Sequence, residues 1–77
     1  MIPLELGSIH DPATRRALQQ ITQAAPGARV PLELGAVRDN AVRRNLEQIT
    51  LGRWRNLETG GITDPAVRRA FEEIATA

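Results

Sequence analysis

Few side chains in this sequence could do chemistry, and those few fall into small sets. His10 is the only imidazole, and cysteine, lysine and tyrosine are all absent. General acid–base catalysis would therefore have to rest on one histidine and the acids. Asp11, Asp39 and Asp64 could form a metal-binding cluster of carboxylates. The pairs Arg15-Arg16, Arg43-Arg44 and Arg68-Arg69 present guanidinium forks that suit phosphates or carboxylates. Gly60-Gly61 could belong to a phosphate-cradling loop. Arg53-Trp54-Arg55 sets a lone indole between two cations, a composition suited to an interface anchor.

Repetition within the chain decides most of these cases. The stretch Leu4–Asp11 aligns without a gap on Leu32–Asp39 and on Leu57–Asp64, and the match continues through a common pattern, L-E-x-G-x-[IV]-x-D-x-A-x-R-R-x-[LF]-[EQ]-x-I. Over 20 positions, residues 3–22 and 31–50 agree at 13, and residues 56–75 agree with the first unit at 11. The counterparts of His10 are Arg38 and Thr63, so this position is an exposed one ahead of a helix and not a general base. Each aspartate recurs immediately before Pro12, Asn40 or Pro65, which makes it a helix N-cap, its carboxylate accepting from orphan amides and favouring the positive helix end. Proline suits the first helical position because its missing N–H is not needed there. Gly60-Gly61 reads as a turn. The expectation is a non-enzymatic chain with no catalytic residue, cofactor, metal or small-molecule substrate.

The arginine doublets keep three readings: a solvated helix face balanced by nearby acids, contact with an acidic protein surface, or contact with nucleic acid. Trp54, with Arg53 and Arg55, is either an interface anchor or a cover for a small core.

The elements that position these residues follow from hydropathy. Apolar residues recur at helical spacing: Thr14, Ala17, Leu18 and Ile21; Val42, Leu46 and Ile49; Val67, Ala70, Phe71 and Ile74. Asn45 stands in the alanine position of the second stripe. The spacing predicts helices near 12–24, 40–51 and 65–76, ended by Pro26-Gly27, by Gly52 and by the chain end. Helices this short are marginal alone, so the stripes must be packed. Asp11–Arg15, Asp39–Arg43 and Asp64–Arg68 are expected to brace the exposed side at i, i+4, leaving Arg15, Arg43 and Arg68 solvated. Ahead of each helix, segments such as Pro3-Leu4-Glu5-Leu6-Gly7 alternate apolar and polar and read as extended arms or short edge strands. Ile9, Val37 and Ile62 should fold back onto the helix starts.

The fold class expected is thus mainly α, with three short amphipathic helices each preceded by an LELG-type arm. Residues 1–77 form either a single small pseudo-symmetric domain, in which the arms tie neighbouring units together, or an elongated tether whose units (3–22, 31–50, 56–75) are spaced by linkers 23–30 and 51–55. With 42% apolar residues but only Trp54 and Phe71 as aromatics, the core must be aliphatic and thin, which favours oligomerisation or a partner. Ten arginines against nine acids give a net charge of +1, too little for a nucleic-acid patch. No run approaches the roughly 18 apolar residues of a membrane span, and the first residues lack the basic region followed by an apolar core that a signal sequence is expected to show.

The segments Gly7–Ile21 and Gly60–Ile74, written G-x-I-x-D-P-A-x-R-R-A-[FL]-[EQ]-x-I, resemble segments of small structural proteins of tailed bacteriophages, especially those of GC-rich actinobacterial hosts. Asn40 and Asn45 of the second unit depart from that pattern. The resemblance implies a virion component made in the host cytoplasm: a minor capsid, decoration or fibre-attachment protein. Its partners would be protein surfaces presented in several copies, such as major capsid or tail and fibre subunits, or copies of itself. The alternatives are a general scaffolding or oligomerisation module and a small nucleic-acid-binding regulator.

Overall fold

In the computed structural model, which describes residues 4–76, three α-helices follow one another: α1 Pro12–Thr22, α2 Asn40–Thr50 and α3 Pro65–Thr76. The fold is mainly α. No strand occurs among the described residues, so the arms are extended without being edge strands. Pro3, at the head of the first arm, lies outside the described residues.

Each helix starts the same way. Leu6–Ile9, Leu34–Val37 and Thr59–Ile62 form turns closed by an N–H to C=O bond of 3.1 Å, and the last residue of each turn is fully buried. Two residues later the aspartate caps the helix. Asp11, Asp39 and Asp64 accept through Oδ1 from the amides of Ala13, Ala41 and Ala66 at 3.1, 2.9 and 2.9 Å. Asp11 also accepts from the Thr14 hydroxyl.

The first arginine of each doublet corrects the sequence expectation. Its donors reach the carbonyl of the buried turn residue six positions back. Arg15 donates through Nε and Nη2 to Ile9, Arg68 does the same to Ile62, and Arg43 donates through Nη2 to Val37 at 2.6 Å. A guanidinium fork fits one carbonyl with two donors, and the acid at i−4 is already engaged in capping. Arg15 and Arg43 are consequently half-buried instead of solvated, whereas Arg68 is exposed. In unit two Arg43 Nε is buried without a partner.

The helix ends differ. α1 stops two residues earlier than expected, because the amides of Gln23 and Ala24 turn back to Gln20 and Ile21 and tighten the last turn. Pro26-Gly27 then forms a separate turn, closed by the Ala28 amide on Ala25, with Gly27 at φ +84° as a type II turn requires. α2 ends in a Schellman motif. Gly52, at φ +78°, donates to Ile49, and Arg53 donates to Gln48.

All three stripes enter one core. Ile9, Leu18, Ile21, Val37, Leu46, Ile49, Ile62 and Phe71 are 0% exposed, and Trp54 closes the cluster at 4%. Trp54 bridges the two linkers, its Nε1 donating to the Ala28 carbonyl at 2.8 Å. The chain is a near-isotropic body of 25 × 22 × 21 Å, with a radius of gyration of 10.7 Å. A compact domain of this length is expected at about 11 Å, so the arrangement is the compact one and not the elongated tether.

The order around the core is cyclic, and this was not apparent from spacing. The arm of unit two lies along α1, where Glu33 and Ala36 face Arg16 and Ala17. The arm of unit three lies along α2. The arm of unit one closes the ring on α3, where Glu5 and Ser8 face Arg69 and Ala70. Asn45 fixes the second of these contacts. Its Nδ2 donates to the carbonyls of Ala41 and Glu58, and its Oδ1 accepts from the Glu58 amide at 2.7 Å.

Two consequences are measurable. Phe71→Ala should cost roughly 3 kcal/mol in urea unfolding, because the ring is fully enclosed; a loss below about 0.5 kcal/mol would show that the ring is not part of a packed core. Asn45→Ala should cost about 1–3 kcal/mol, because Asn45 is buried and its loss leaves the Glu58 amide and carbonyl without their partner. The same measurement on Ala17→Asn should show no matching gain.

Candidate protein-binding surface

The cyclic order creates three related grooves, each walled by one helix and by the arm of the next unit. Going round the ring, the second arginine of each doublet and one arm glutamate recur together: Arg16 with Glu33, Arg44 with Glu58, and Arg69 with Glu5. All six residues are exposed. The backbone of Glu58 is held by Asn45, but none of the six side chains takes part in a hydrogen bond among the described residues. The grooves are not identical. Their volumes are ≈ 370, ≈ 300 and ≈ 40 Å³ for α1, α2 and α3, so the pseudo-symmetry is approximate and the ring-closing groove is the smallest of the three.

Eight positions of the unit carry one residue type in all three copies, and the fold accounts for five of them. The leucine and alanine pack against the core, the isoleucine lies in it, the aspartate caps, and the first arginine holds the turn carbonyl. The remaining three are the arm glutamate, the turn glycine and the second arginine. Each is exposed in every copy. Exposed neighbours have meanwhile diverged, as at His10, Arg38 and Thr63 or at Gln19, Glu47 and Glu72. Gly7, Gly35 and Gly60 do not have positive φ, and a Cβ built on any of them meets nothing within 4 Å. The monomer's own fold does not require glycine there.

The residues singled out in the sequence are distributed as follows. Asp11, Asp39 and Asp64 stand at three separate helix starts, each engaged with its own helix. Leu18, Ile21, Val42, Leu46, Ile49, Val67, Phe71 and Ile74 are interior. Trp54 is buried with its N–H satisfied, and it lies beneath a surface hollow that Arg53 and Arg55 also line. Arg53 and Arg55 beside it are exposed. His10 is exposed, and among the described residues no group of three or more His, Cys, Asp or Glu is placed to hold a metal. No helix of the described residues is long and apolar enough to cross a membrane.

The groove glutamates were missed in the sequence, although their identity in three otherwise divergent copies was a usable signal. Chemically, the grooves on α1 and α2 each combine one guanidinium with one carboxylate, which suits a protein segment carrying both charge signs, whereas the groove on α3 adds a second carboxylate, Glu73. The set suits a polyanion poorly, because a carboxylate stands in every groove. Comparison with protein-family models, with curated proteins and with solved structures gave no match.

Proposed function

We propose that this chain is a non-enzymatic structural or adaptor protein of a virion, which binds repeated protein surfaces through its three arm-plus-helix units. The observation that carries the reading is the recurrence of an exposed arm glutamate beside an exposed helix arginine at all three arm–helix contacts of a single small body. A catalytic or small-molecule site needs one well-formed pocket with converging groups. Binding to a repeated surface needs equivalent contacts at fixed spacing, each of which can be weak. The likeness of Gly7–Ile21 and Gly60–Ile74 to segments of tailed-phage structural proteins supports the virion as the setting. It favours a minor capsid, decoration or fibre-attachment role and a life cycle that begins in the host cytoplasm.

Purified particles from the producing host, analysed by quantitative mass spectrometry, provide the test. The chain should be present at a fixed copy number per particle and should stay with the protein shell after the nucleic acid is removed by nuclease. A folded monomer absent from washed particles would overturn the virion reading.

A further inference from the structure

We infer that the surface formed by the two linkers, residues 23–30 and 51–55, docks a short acidic protein segment, whose carboxylates are taken by Arg29, Arg53 and Arg55. The inference goes beyond the adaptor reading above and is independent of it, because it concerns the linkers and not the arm-plus-helix units.

Its first support is where the charge lies. The linkers hold three arginines and no acid, whereas the rest of the chain holds seven arginines against nine acids. The net charge of +1 is therefore a linker surface of +3 set on a body of −2. Arg15, Arg43 and Arg68 are engaged with turn carbonyls. Arg29, Arg53 and Arg55 are exposed instead, and their side chains take part in no hydrogen bond among the described residues. Their guanidinium forks are free to take carboxylates with paired donors.

The second support is that the fold fastens the linkers together. The Trp54 indole donates to the Ala28 carbonyl at 2.8 Å. A Cβ built on Gly52 would stand 3.1 Å from the Gly27 carbonyl oxygen and 3.3 Å from Arg29 Cγ, so the two linkers meet there backbone to backbone. At this junction lies a hollow of ≈ 270 Å³, lined by Pro26 and Gly27 from one linker and by Gly52, Arg53, Trp54 and Arg55 from the other. Leu51, a large apolar residue left 54% exposed, directly precedes Gly52. Charge, a recess and an apolar neighbour together fit a segment with an apolar residue among its acids. A nucleic acid fits less well. Both aromatic rings of the chain are buried, which leaves no platform for a base. A phosphate chain running beyond the linkers would also meet a body of net negative charge, whereas a short acidic segment ends within them.

The probe is a short peptide of aspartate, glutamate and one leucine with blocked ends, titrated into the full chain while the emission of Trp54 is followed. Trp54 is the single tryptophan of the chain and lines the hollow, so its spectrum reports this surface. The expected result is a saturable change in emission, which a peptide with asparagine and glutamine in place of the acids does not cause. Arg53→Gln and Arg55→Gln should each weaken binding about threefold, and the triple variant with Arg29→Gln added should lose it. Arg38→Glu, at an exposed position outside the linkers, removes twice the charge of one such change and should bind as the parent does. Circular dichroism checks that every variant is folded. No saturable change, equal binding of the amide peptide, full binding by the triple variant, or a loss with Arg38→Glu as large as with Arg53→Gln would each overturn the inference. Tighter binding of oligothymidylate than of the acidic peptide at the same salt would overturn it as well. The virion reading is decided separately, by presence in washed particles. A failed titration leaves that reading standing, and absence from particles leaves the linker surface standing.

Discussion

A helix of 11 or 12 residues is marginal in water, because nucleation fixes several residues for the first hydrogen bond and few turns follow to offset it. Each helix here exists because its stripe is enclosed by the other units, and that mutual dependence constrains everything else. It explains why the core contains one residue of each kind from each unit: Ile9, Val37 and Ile62 below the helix starts, and Leu18, Leu46 and Phe71 in the middle. With few rings available, enclosure on all sides replaces bulk. Phe71 in place of a third leucine, and Trp54 over the linkers, supply the extra volume that three short aliphatic helices lack.

The helix starts show how so small a body is held to one geometry. A turn, a buried residue, a capping aspartate and an arginine on the turn carbonyl form a single local assembly, built three times. The buried turn residue is covered by its own helix, and the arginine ties it there across six residues. That carbonyl would otherwise be a partly buried acceptor without a donor, which is costly. The unit is thus locally determined at its start and depends on its neighbour along its length, where the next arm covers the helix.

This division marks what could be read from the residues alone. Asp11, Asp39 and Asp64 were legible as caps because capping is a matter of residue type two or three positions from its amide. The stripes were legible because helical spacing is local. Arg15, Arg43 and Arg68 were read toward the acids at i−4, since within a helix that neighbour is the nearest opposite charge; the carbonyl at i−6 comes within reach only through the turn before the cap. Asn45 looked like a flaw in an apolar stripe, because its partner Glu58 belongs to another unit. The grooves were hidden for the same reason. Their two walls come from different units, and spacing within a unit carries no information about which arm lies on which helix.

Cyclic order is therefore the central claim: the contact of arm one with α3 closes the ring that the two contacts made along the chain begin. A circular permutant tests it most directly. The chain would be opened in the linker between α1 and arm two, and Thr76 would be joined to the first arm by a linker as long as residues 52–55. Urea unfolding followed by far-ultraviolet circular dichroism should then show one cooperative transition with the denaturant slope of the parent and a midpoint close to it. A permutant that stays unfolded, or unfolds with a much shallower slope, would contradict closure of the ring.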